Sequence, residues 1–425
     1  MNTSTSILDR FSNCLALAIV FALMVIFIQE GITYYISVQV AALFFLAALM
    51  MCSGLVIRVT HLTLVVFFLF VAMVCNTAVM MPDAVSQNSS NILVTVIGVV
   101  GYVAVILSMI VVSSVRSDRL LLFYRLTALV IITIIVLLVV VTELGIFAGV
   151  TREYFIFQNV GLITNWALEE NVIADLHTRQ ARGVPADIDL FYGEPSFLAL
   201  VLFVTSVSLI ISSLVLNRRG DISSRSSWGV GCSIALFGGI VCMVFIRSLS
   251  SLIYSGILCV FIVVHVLPRA RAHSGSRLTK VTTLLLLALA TAWLLAETFP
   301  YYSHRLSTFS TSLSAYQRFG VVFELLPQDF LLGLHRADRI PEAGFHNSLI
   351  YIITMAGFGG ITLLVYLMSR ISQLAHPWGL ATLSVLAVLA VFCQNGAVLS
   401  PNKLVLLSFI LLPLSCLRSG GAQRL

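Results

Sequence analysis

PSFLALVLFVTSVSLIISSLVL, residues 195–216, runs for 22 positions without a charged side chain. It opens on Pro195, whose missing N–H costs nothing in the first turn of a helix. It stops just before Arg218-Arg219. One helix needs about 20 mostly apolar residues to cross a hydrocarbon core. The stretch therefore predicts a membrane-spanning helix with its start on one side of a bilayer and a basic pair on the other.

Comparable runs recur on both sides of it. They lie at 11–29, 35–57, 62–81, 92–115, 120–142, 228–246, 249–267, 279–296, 347–368, 378–393 and 403–417. The expected fold class is all-α: a polytopic integral membrane protein of about twelve transmembrane helices, a single transmembrane domain over 1–425. Helix is the default because an open sheet leaves backbone groups unpaired in lipid. The cut between 246 and 249 is the narrowest, marked by Arg247, Ser248, Ser250 and Ser251. Gly357, Gly359 and Gly360 fall within a span and suit close helix packing. The first run, flanked by Asp9-Arg10 and soon followed by another span, reads as a retained anchor.

Composition excludes a soluble domain. Apolar residues make up 59% of the chain and charged residues 10%, with a mean hydropathy of +1.05. Soluble domains carry roughly 25% charged residues. Basic residues set orientation. With the N-terminus inside and twelve alternating spans, fifteen basic residues and three acids fall inside, against nine and fifteen outside. Both termini are then cytoplasmic. The net charge of +6 reflects this topology, so nucleic acid is not an expected partner. All eight cysteines fall within predicted spans, which suggests no disulfide framework.

Two segments are too long to be simple connections, 143–194 and 297–345, and both are placed outside. Asn159–Ala181 patterns as an amphipathic helix on the membrane surface, and Ala315–Leu326 as a second short helix. Pro300, Pro327 and Pro341 punctuate the second loop. The loops hold Arg152, Arg179, Arg182, Arg305, Arg318, Arg336 and Arg339 on the side where the charge bias disfavours Arg; Arg247 adds one at an outer helix end. Two readings stand for each: a solvated charge paired with a nearby acid, or part of a site for an anion. The planar guanidinium fork suits phosphate. An Arg lying deep between spans costs roughly 2.5–3.5 kcal/mol and takes a partner.

Four stretches carry the candidate chemistry. The first runs from Arg182-Gly183 to Phe191-Tyr192-Gly193-Glu194-Pro195-Ser196-Phe197, where a plain helix start is the alternative. The second is Arg247-Ser248-Leu249-Ser250-Ser251. The third is Arg318-Phe319-Gly320 with Leu325-Leu326-Pro327-Gln328-Asp329-Phe330-Leu331-Leu332-Gly333. The fourth is His346-Asn347, nine residues, then Gly357-Phe358-Gly359-Gly360. By itself His346 also reads as an interface residue at the lip of a span. No Asp-x-Asp, His-Glu-x-x-His or His cluster at ligand spacing occurs, and no Gly-rich phosphate loop follows a strand.

In order, spacing and membrane context these stretches resemble the O-antigen polymerase and ligase superfamily of bacterial envelopes, over roughly residues 180–400. Members carry a His-Asn, His-Ser or His-Gln pair, nine residues, then Gly-x-x-Gly. His346, Asn347, Gly357 and Gly360 match it. Glu194-Pro195-Ser196-Phe197 looks like the version in Wzy-type polymerases, and Arg182 to Gly193 has their Arg, ten residues, Gly spacing. The Arg318 stretch looks like the family's Arg before a Leu-rich segment ending in Gly. At Arg247 the chain departs from the family, which more often shows Ser-Arg-Gly.

The resemblance implies transfer of a glycan from an undecaprenyl-pyrophosphate carrier to an acceptor at the periplasmic face of the bacterial inner membrane, with no metal or nucleotide cofactor. It implies pyrophosphate contacts from Arg247 and Arg318, then Arg182 and Arg305. His346 would activate or orient the acceptor hydroxyl, Asn347 would position substrate, and Glu194 is a reserve base. Expected partners are the lipid-linked donor and acceptor, membrane lipids and a Wzz-type chain-length regulator. A ligase moving the chain to lipid A-core shares nearly every feature; Glu194-Pro195-Ser196 favours polymerase. A lipid-linked oligosaccharide flippase would have a similar span count, but it calls for charges within spans and short external loops. A non-enzymatic scaffold leaves the His-Asn motif and the external Arg set unexplained.

Overall fold

The computed structural model describes residues 31–33, 36–37, 45, 48, 64–69, 71, 118–147, 195–218, 227–246, 248–266, 303, 307, 316, 320–333, 347–375, 378–394 and 401–415. The predicted spans at 11–29, 92–115 and 279–296 lie outside these residues, as do most of 35–57 and 62–81. The loop 143–194 lies outside them beyond Phe147.

Among the described residues the chain is almost entirely helical. The exception is an antiparallel pair, β1 (Gly31–Thr33) and β2 (Ile36–Ser37), joining Gly31 to Ser37 and Thr33 to Ile36. Its β-branched residues, Ile32, Thr33 and Ile36, favour extended backbone, and β2 takes early positions of the span expected from 35.

Eight α-helices have both bounds among the described residues: α1 (Asp118–Phe147), α2 (Pro195–Arg218), α3 (Ser227–Phe245), α4 (Leu249–Phe261), α5 (Pro327–Leu332), α6 (Ser348–Leu374), α7 (Trp378–Cys393) and α8 (Pro401–Ser415); residues 45, 48, 64–69, 71, 303, 307 and 316 are helical as well. A π-helical turn, Ile262–Val266, continues α4. Seven of the predicted spans thus appear as helices within a few residues of their expected bounds. α6 runs past the expected end at 368 because its last turns have local polar partners: Arg370 Nε donates to the Tyr366 hydroxyl at 3.0 Å and Arg370 Nη1 to Gln373 Oε1 at 2.9 Å. One segment among the described residues, Ser196–Leu216, is long and apolar enough to cross a bilayer by length and composition. Shorter apolar stretches lie at Tyr124–Leu137, Gly231–Phe245, Leu249–Val264, Gly379–Cys393 and Val405–Ser415.

Residues 315–326 are expected to form one short helix. Tyr316 is helical, 315 and 317–319 lie outside the described residues, a 3₁₀ turn occupies Gly320–Glu324, and α5 starts at Pro327. The proline was read as punctuation. It stands at the first helical position, where no N–H is needed.

The helices bury their apolar residues in two ways. On α1, Leu121, Tyr124, Ala128, Ile132, Ile135 and Val139 are buried at three- and four-residue spacing, while Val130, Ile134 and Leu137 on another face are about half exposed, at 51%, 48% and 57%. α2 is buried almost throughout. Its hydroxyls turn back to the helix, Thr205 Oγ1 donating to the Val201 carbonyl at 2.7 Å and Ser212 Oγ to the Ser208 carbonyl at 2.8 Å. That local bond lets a polar side chain sit in apolar surroundings.

The chain divides into two compact units. One comprises residues 1–127, 207–223 and 313–425; α6 packs there on α5, α7 and α8, and Tyr124 meets Phe409 edge to face at 6.1 Å. The other comprises residues 128–206 and 224–312. There α3 packs on α4, Phe203 stacks on Tyr254 at 4.7 Å, and Gly239 lets α3 approach Ile132 and Ser206. A Cβ at Gly239 would touch those side chains at 3.4 and 3.5 Å.

Candidate functional site at the start of α6

The fourth sequence stretch opens α6, and each described residue in it has a specific task. Asn347 is extended, with φ −135° and ψ 114°, and caps the helix. Its Oδ1 accepts the backbone N–H of Leu349 at 2.9 Å and of Ile350 at 3.4 Å. Those N–H groups have no carbonyl partner within the helix, which is why a short polar side chain is favoured here. Asn347 is buried. Its side chain also hydrogen-bonds with the thiol of Cys393, the last residue of α7.

The next residue, Ser348, is buried and accepts a hydrogen bond from Lys403 Nζ at 2.7 Å. Lys403 lies in the first turn of α8. The start of α6, the end of α7 and the start of α8 therefore meet in one polar cluster. Sequence reasoning counted Lys403 only among the nine external basic residues. The available signal was a lone lysine heading the run Leu404–Leu412, apolar but for Ser408.

Gly357 breaks α6. Its φ of 55° and ψ of −140° are not helical, and the 27-residue element is two helices joined at a kink. That backbone region is essentially reserved for glycine. The space matters as well: a Cβ at Gly357 would stand 2.6 Å from the Leu331 carbonyl oxygen and 2.8 Å from the Gly333 nitrogen. The chain at the end of α5 thus rests directly on Gly357. Gly360 is equally confined, since a Cβ there would stand 2.6 Å from the Ile352 carbonyl oxygen. Gly359 has open space around it. The three glycines were expected to serve helix packing alike. They differ because the kink concentrates the close approaches at Gly357 and Gly360.

α5 is held from its own side. Asp329 Oδ2 accepts the Leu326 N–H at 2.9 Å, and the Gly333 N–H donates to the Asp329 carbonyl at 3.1 Å. Gly333 closes the helix with φ 83°. Just upstream, the Tyr316 hydroxyl donates to the Glu324 carboxylate, and a Cβ on Gly320 would run into the Tyr316 ring. Leu331-Leu332-Gly333, the end of the third stretch, and Gly357 of the fourth are in contact although Gly357 lies 24 positions after Gly333 in sequence.

The first and second stretches fall in the other unit. Pro195 begins α2, as expected, and Ser196 and Phe197 are buried. Ser248 precedes α4; its N–H donates to Ser251 Oγ at 3.2 Å, and that hydroxyl donates to the Ser248 carbonyl at 2.6 Å. Ser251 is fully buried. Ser251, Tyr254, Ser255, Leu258 and Phe261 form the buried face of α4.

Of the seven candidate site residues, Asn347 is described. His346, Glu194, Arg182, Arg247, Arg305 and Arg318 lie outside the described residues. Comparison with protein-family models, curated proteins and solved structures finds no match to this chain.

Proposed function

We propose that this chain is a membrane glycosyltransferase that polymerises undecaprenyl-pyrophosphate-linked oligosaccharide repeat units at the periplasmic face of a bacterial inner membrane. One observation carries most weight: the Leu-rich segment ending in Gly333 rests on Gly357 of the His-Asn motif. Two stretches that the resemblance treats as parts of one site are therefore neighbours in space. Asn347 also occupies an N-cap that favours a short polar side chain, and Gly357 a backbone conformation that calls for glycine.

Membrane placement is supported by the exposed apolar faces. Val130, Ile134 and Leu137 on α1, Val260, Val263 and Val264 at the end of α4, and Phe358 and Val365 on α6 are more than a third exposed. In water each such side chain forgoes roughly 1.5–3 kcal/mol of burial. In hydrocarbon the same faces are at home. Twelve spans with both termini cytoplasmic put the start of α6 and both long loops on the periplasmic side.

In the proposed reaction, the acceptor hydroxyl oxygen attacks the anomeric carbon of the donor glycan. A carbon–oxygen bond forms there as the bond to the pyrophosphate oxygen breaks. The hydroxyl proton passes to His346, with Glu194 in reserve. Arg247 and Arg318, then Arg182 and Arg305, hold the leaving undecaprenyl pyrophosphate as its charge develops. Asn347 fixes the helix start beside His346 and thereby positions it.

The deciding experiment is lipopolysaccharide from a deletion strain, resolved on a silver-stained gel. Loss of every ladder band beyond core plus one unit supports the polymerase. Loss of all O-antigen bands with polymer accumulating on the carrier identifies a ligase instead. An unchanged ladder rejects both.

A further inference from the structure

Lys403 is 1% exposed, less than the other basic residue buried among the described residues, Arg125 at 3%, and it stands where helix electrostatics oppose it. It stands in the first turn of its own helix and reaches the first residue of α6. Both are the positive ends of helix dipoles, where an anion is favoured and a cation is not. Burial removes the ammonium from water as well. Its presence is therefore not explained as ordinary helix stabilisation. What it does is geometric: Nζ donates to Ser348 Oγ at 2.7 Å, beside the Asn347 cap and the Cys393 thiol. Asn347 is peptide-bonded to His346.

We propose that Lys403 is a positioning residue of the glycan-transfer site: its bond to Ser348 fixes the start of α6, and so the peptide that carries His346. The role in transfer rests on the glycosyltransferase reading; the anchoring of α6 does not. Lys403 does not meet substrate, because it is almost fully buried.

The test uses the full chain in lipid nanodiscs, with Lys403→Met, Ser348→Ala, Ser348→Thr and the Lys403→Met/Ser348→Ala double variant. Hydrogen exchange is followed at the Leu349 and Ile350 amides, and kcat and KM are measured with a lipid-linked repeat unit. Loss of a hydrogen bond to a charged group should speed exchange at those amides about ten-fold or more. Exchange in the middle of α7 should stay as it was. Turnover should fall about ten-fold or more while KM stays within about two-fold, the pattern of lost positioning. The double variant should lose no more than either single one, and Ser348→Thr, which keeps the hydroxyl, should retain turnover. Should Lys403→Met fail to accumulate, Ser348→Ala reads out the same anchor. Unchanged exchange in a folded, active variant overturns the role of Lys403 alone. Faster exchange in a protein whose unsubstituted form transfers no glycan overturns the glycosyltransferase reading and the role in transfer, and leaves the anchor of α6.

Discussion

Among single residues, Gly357 and Gly359 make the sharpest contrast, because they lie two apart in one element and meet opposite surroundings. At Gly357 an added methyl group meets a backbone carbonyl and a backbone nitrogen, neither of which is a side chain able to swing away. Its conformation alone costs a non-glycine residue about 1–3 kcal/mol. Gly357→Ala should therefore lower the thermal midpoint of the purified protein in nanodiscs markedly. Gly359→Ala meets nothing within 4 Å and replaces a poor helix former, so it should hold or raise that midpoint, by about 0.5–1 kcal/mol of stability. Equal effects at the two positions would mean that the kink is not populated. The chemical residues call for a different measurement. Arg247→Ala and Arg318→Ala should each cut turnover about 10²–10³-fold, the cost of removing one fixed donor from developing charge. Lys at either position should restore part of it, being a point charge without the fork. A normal rate in a purified Arg→Ala variant would return that residue to the class of solvated loop charges. His346→Ala should abolish polymer at normal abundance, and modest activity in His346→Gln would assign it an orienting role, since Gln cannot take the proton.

α5 is only six residues long, and nothing in its composition makes a helix of that length stable in isolation. Its existence depends on the Asp329 carboxylate, which satisfies the Leu326 N–H, and on the seat at Gly357. Asp329→Ala should loosen the whole 320–333 stretch, seen as faster proteolysis of the intact purified protein. Asp329→Asn keeps an acceptor oxygen and should resist more nearly as the parent does. Indistinguishable digestion of parent and Ala variant would show that the contact with α6 holds α5 unaided. The same element shows where sequence stops informing. α2, α7 and α8 were legible because an apolar run bounded by Pro, Trp or charge is a local signal. α5 was not, since its start at Pro327 makes sense only once Asp329 and Gly357 are seen together. Ser348 and Lys403 failed to stand out for the same reason: a lysine's burial is set by a partner 55 residues away, which periodicity does not encode. Asn347 was legible by type and place, but its capping bonds and its contact with Cys393 were not.

For the whole molecule, the decisive quantity is the side of the membrane on which each loop lies. The charge distribution is lopsided in a way that a soluble protein has no reason to maintain: fifteen of 24 basic residues and three of eighteen acids share one side of the proposed topology. Basic residues near span ends resist translocation, so the proposed topology rests on this bias. Alkaline phosphatase folds actively only after export. Fusions after Ala186 and after Glu342 should therefore be active, and fusions after Arg219 and after Gly275 inactive. The Arg219 junction is the most demanding, since α2 links it directly to the Glu194 end of the first loop. A helix of 24 residues rises roughly 36 Å at 1.5 Å per residue, enough to carry the chain from one face to the other. Activity at Arg219 would place both ends of α2 on one side. It would also move the start of α6 away from the periplasm, and no lipid-linked repeat unit exported to that face would then reach His346.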